Sequence, residues 1–178
     1  MGNESLVTLG IAFVSAGAAI AAVWAVINQT NTARFATGVD LLFSLKARFE
    51  SREYRVKRGW AVAALSGKAK LENVQGVLDF FETIGLLVRR KTLDAEMVFN
   101  MFSYWLHGYW LYARTGIEQQ RTRFPARYSD LVWLCSRLEN FERARYGPPQ
   151  EAEWAHFLED EDNFLIGSMR DEDDAFKG

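Results

Sequence analysis

The chain has 178 residues, 49% hydrophobic and 14% aromatic, with a formal net charge of −2 and one cysteine. That length allows one domain with a substantial core. The single cysteine, Cys135, excludes an internal disulfide framework, and the lack of any basic run interleaved with aromatics argues against nucleic acid as a partner.

Residues 1–5 are a short segment preceding an uncharged run of twenty-two residues, Leu6 to Ile27. As a helix that run is about 33 Å long, enough for a bilayer core of about 30 Å. It is too long for a signal peptide and lacks the basic start, although 16–18 and 19–21 read as small-x-small sites. It is therefore expected to be an uncleaved transmembrane helix, with Trp24 near the headgroups. Small residues let helix backbones approach closely, so Gly10, Ser15, Gly17, Ala18 and Ala22 form a candidate pairing face.

Charge sets the expected orientation. Residues 28–70 hold nine basic and three acidic side chains, whereas 151–178 hold two basic and ten acidic. Basic flanks stay on the cytoplasmic side, which places the N-terminus outside a bacterial inner membrane and the remaining chain in the cytoplasm. Arg34, Lys46 and Arg48 are candidates for contact with anionic lipid.

No proline occurs before position 125 and no strand-like alternation is present, so the chain reads as all-α. An apolar stripe through Phe35, Val39, Leu42 and Phe49 continues the first helix to about Glu50. A second helix follows from Arg52 to Leu65, stopped at Ser66 and Gly67, completing a basic juxtamembrane segment over 28–70. The aromatic-rich core spans 71–146. Its first helix presents Val74, Val77, Leu78, Phe81, Ile84 and Leu87 at the three-four rhythm. Thr92 or Asp94 then caps a helix from Ala95. A last long helix runs from Tyr128 to Tyr146, and Gly147, Pro148 and Pro149 end it. Residues 147–178 are expected to be an acidic, mobile tail apart from a short piece at 154–158. The fold class is thus a single N-terminal transmembrane helix extended into a cytoplasmic bundle of four to five helices.

The run from Val77 to Gly85, then Leu93 and Asp94, then Phe102 to Trp105 with Gly108, Tyr109 and Trp110, resembles a bacterial family of unknown function. The resemblance covers about residues 6–145. It implies one N-terminal span and a small helical cytoplasmic domain, and it transfers no activity.

Four polar residues stand out in the helical core. Asp79 and Glu82 lie three apart, a spacing that suits acid–base chemistry or an ion pair; Arg114 on the following helix is a natural partner for Glu82. His107 sits within the aromatic run, and histidine is the residue type suited to acid–base or sensing roles. Glu153 and His156 form one Glu-x-x-His, half of what a di-iron bundle requires. Cys135, among apolar residues, reads as a small hydrophobe. No catalytic, cofactor or metal set is assigned. The expected function is a membrane-anchored interaction or scaffold protein with a protein partner or a second copy. The alternatives are an accessory subunit of a membrane complex and an enzyme using the carboxylate and histidine core.

Overall fold

The computed structural model describes residues 3–147 and 154–175; within these, the side chains of 3–23, 27, 31 and 168–175 are not described. The chain divides into two compact units, Met1–Asp40 and Leu41–Gly178. The helices in order are α1 (Asn3–Glu50), α2 (Arg52–Leu65), α3 (Gln75–Arg89), α4 (Ala95–Arg123), α5 (Ser129–Tyr146) and α6 (Phe157–Ala175), with a 3₁₀ turn at Leu71–Val74. No strand occurs among the described residues.

The first unit is helical backbone. The candidate pairing face of Gly10, Ser15, Gly17, Ala18 and Ala22 lies outside the described side chains. Among the described residues, no helix is long and apolar enough to cross a membrane. Trp24, Val26 and Phe35 are exposed within this unit.

The second unit holds the rest, and local chemistry explains its boundaries. Ser51 caps α2 by accepting from the Tyr54 N–H at 3.4 Å while its hydroxyl donates to the Arg48 carbonyl at 2.7 Å. At the other end Gly67 has φ +75°, and Lys68 N–H donates back to the Ala63 carbonyl at 2.7 Å. This is the left-handed helix stop that glycine permits. Asp94 caps α4 through the Met97 N–H at 3.0 Å.

The core is aromatic. Phe49, at the end of α1, stacks on Phe80 at 4.8 Å and meets the edges of Phe102 and Trp105 at 5.9 and 5.3 Å. Leu42 and Leu45 bury beside it, as do Val77, Phe81 and Ile84 from α3 and Leu131, Leu134 and Leu138 from α5. Burying a side chain of this size stabilises by about 1.5–3 kcal/mol.

The C-terminal segment corrects the expected mobile tail. Its acids are numerous, but Phe157, Glu161 and Leu165 fall four apart on one face of α6, and all three are buried. Two apolar anchors and a compensated carboxylate outweigh the segment's polar composition.

Candidate functional site

The most polar point inside the second unit lies where α2, α4 and α6 meet. Arg58 of α2 is 0% exposed and Glu161 of α6 is 2% exposed. Arg58 Nε–H donates to Glu161 Oε1 at 2.7 Å. Nη2 sits 2.6 Å from the same oxygen, off the hydrogen-bonding direction. From α4, Tyr109 donates its hydroxyl to Oε1 at 2.9 Å and Trp105 Nε1–H donates to Oε2 at 3.2 Å. Nη1 reaches the Phe49 carbonyl at 3.4 Å, and the guanidinium lies 4.6 Å from the Phe49 ring centroid and 5.3 Å from that of Trp105.

Each charge is therefore met on several sides, as burial of an ion pair demands. Burial and the adjacent carboxylate push the Tyr109 phenol well above its ordinary 10.0. Arg58 and Glu161 are closed to solvent, so this centre can hold helices together but offers a substrate no entry.

The polar residues expected from sequence sit on α3 and α4, apart from the Arg58–Glu161 bond. Asp79 is exposed on α3. Glu82 Oε2 accepts the backbone N–H of Leu131 at 2.6 Å, which places its charge at the N-terminus of α5. That helix needs an outside cap because Tyr128, at its N-cap position, has φ 53° and bonds nothing there with its side chain. Arg114 is exposed on α4. His107 Nε2 is 3.3 Å from Glu142 Oε2, without hydrogen-bond alignment, and its ring meets Trp154 edge-on at 5.5 Å.

Cys135 is buried, and burial pushes its thiol well above 9.0, away from nucleophilic use. His156 is exposed and 3.7 Å from Glu159, while Glu153 lies outside the described residues. Among the described residues, no three His, Cys, Asp or Glu side chains are placed to hold a metal ion. A surface groove of about 580 Å³ between α4 and α5 is lined by Asp94, Glu96, Trp133 and Arg137. In it Asp94 already caps α4 and Glu96 already pairs with Arg145 at 3.0 Å.

Of the three lipid candidates, Arg34 is exposed in the first unit. Lys46 pairs with Glu50 at 2.7 Å and lies 4.0 Å from the Trp105 ring centroid. Arg48 lies 5.4 Å from the Tyr54 ring centroid.

The stretch with the strongest sequence character serves this packing. Gly108 lies so close to the Phe157 ring that a Cβ there would overlap it, and Gly85 lies equally close to the Asp130 carbonyl. From the same stretch Phe102 packs edge-on against Phe49, and Trp105 and Tyr109 donate to the Glu161 carboxylate that Arg58 also meets. Residues 12–138 match the family model described as Domain of unknown function (DUF4760). The chain belongs to that family. This agrees with the resemblance carried by residues 77–110. No curated protein and no solved structure matches the chain. The DUF4760 match takes in Arg58, Trp105 and Tyr109 and ends before α6, so the carboxylate they receive comes from outside the matched segment.

Sequence does not single out Arg58 or Glu161, and it marks Trp105 and Tyr109 only through the family resemblance. The available signal was local: Glu161 interrupts the apolar positions Phe157 and Leu165 at helical spacing, and Arg58 sits between Tyr54 and Ala61 on the inward face of α2. A charge on an apolar face marks a buried acid or base in need of a partner.

Proposed function

We propose that the protein is a membrane-anchored interaction or scaffold protein. The uncharged run Leu6–Ile27 serves as its anchor in a bacterial inner membrane, with the N-terminus outside and the helical domain in the cytoplasm. The anchor reading rests on the length of that run and on the nine basic against three acidic residues that follow it. The observation that carries the interaction reading is the sealing of Arg58 and Glu161. The domain's most polar centre is closed, so its accessible chemistry is that of a surface.

A second reading, an accessory subunit of a larger membrane complex, draws on the small residues Gly10, Ser15, Gly17, Ala18 and Ala22, whose spacing suits close packing against another span. One experiment addresses both. The full chain, tagged at its C-terminus, is extracted in mild detergent from its native host and its co-purifying proteins are identified by mass spectrometry. Fixed stoichiometry with one membrane assembly supports the subunit reading. A second copy or a separable partner supports the scaffold. A monomer that recovers nothing removes both.

A further inference from the structure

Among the described residues, α2 and the 3₁₀ turn after it carry large apolar side chains that are exposed. Val56 and Trp60 are 41% and 58% exposed and lie four apart, hence on one side of α2. Trp60 and Lys57 line a shallow groove of about 310 Å³ with Asn73 and Gly76, which brings this edge of α2 against the 3₁₀ turn. That turn carries Leu71, 67% exposed. Lys68 and Lys70, both exposed, occupy the link between the two. Clustered apolar exposure rimmed by polar groups marks an interaction site.

The geometry points to an anionic lipid surface as the occupant of this face: we infer that Trp60 and Leu71 enter the headgroup region while Lys57, Lys68 and Lys70 meet lipid phosphates. Charge selects the occupant. The face belongs to the segment with nine basic and three acidic residues, and the acidic α6 balances it elsewhere in the chain. An indole belongs at headgroup depth, and lysines keep their stems on apolar surface while their ammonium groups reach phosphate. Lys57 has this form, its stem running along Gly76. Its ammonium pairs with Glu53 at 2.6 Å, a surface contact with which lipid phosphate competes. The inference moves lipid contact from Lys46 and Arg48, engaged in packing, to α2 and the turn after it. It rests on the membrane-anchored reading.

The test uses the full chain with Asn73→Cys labelled by an environment-sensitive fluorophore, since Asn73 is exposed beside Trp60 and Cys135 is buried. The chain is placed in nanodiscs of phosphatidylcholine alone or mixed with phosphatidylglycerol. The expected result is a blue shift in the anionic discs, weakened about fivefold in lipid preference for each of Lys68→Glu and Lys70→Glu. Equal emission in both discs overturns the inference while leaving the anchor intact. A blue shift in detergent that grows with protein concentration assigns the face to a protein instead. A chain that does not enter the discs removes the anchor reading and this inference together.

Discussion

Arg58 and Glu161, 103 positions apart, close a hydrogen bond of 2.7 Å with both side chains sealed from solvent. One comes from the basic segment that begins the helical domain and the other from the acidic segment at its end. The charge asymmetry along the chain therefore has a structural outcome: its two poles meet inside the fold and fix α6 to α2.

Breaking that pair should be severe. Glu161→Ala leaves a buried guanidinium alone and is expected to cost about 3–5 kcal/mol. Arg58→Met with Glu161→Leu removes both charges and is expected to recover most of that loss, although Trp105 and Tyr109 then lose their acceptor. Chemical denaturation of Arg58→Met, of Glu161→Leu and of the variant carrying both closes the cycle and measures the coupling.

A glycine series separates close approach from helix propensity. Gly116→Ala on α4 meets open space and should stabilise by up to about 1 kcal/mol. Gly108→Ala meets the Phe157 ring and Gly85→Ala meets backbone at Asp130, so each should destabilise by about 1–3 kcal/mol. Gly85→Ala should be the worse, because a carbonyl cannot swing aside as a ring can. Thermal melts of the three variants order them.

Much of this architecture is legible in the sequence, and the reason is locality. The end of α2 follows from a glycine stop, which acts within a few residues. The inward face of α3 follows from helical period. What resists such reading depends on partners far along the chain. Composition marks 151–178 as solvated, and only the position of Arg58 makes Glu161 a core residue. Glu82 reads as an acid suited to an arginine, and only the left-handed Tyr128 makes the uncapped end of α5 a partner for one of its oxygens.

That role of Glu82 has its own signature. Glu82→Ala should destabilise by about 1–2 kcal/mol through loss of the α5 cap, whereas Glu82→Gln keeps an oxygen for the Leu131 N–H and should lose less. Amide hydrogen exchange localises the effect: faster exchange at the first turn of α5 in the alanine variant is expected. Uniform change across all helices would contradict the capping role.

Alkaline pH probes the buried centre. The folded Tyr109 phenol titrates well above the 10.0 of an exposed tyrosine. Its contribution to stability is therefore complete below pH 10.0 and declines as pH rises from there through the folded value. Tyr109→Phe removes that ionisation, so the gap in stability between wild type and variant should narrow above pH 10.0. A gap independent of pH would show that the phenol titrates alike in both states.

The most direct measurement is the behaviour of the full tagged chain in membranes of its native host. The expected result is retention in the membrane fraction through alkaline carbonate and release by mild detergent together with a second copy or a protein partner at fixed stoichiometry. Recovery without detergent as a solitary monomer would contradict both the anchor and the interaction role.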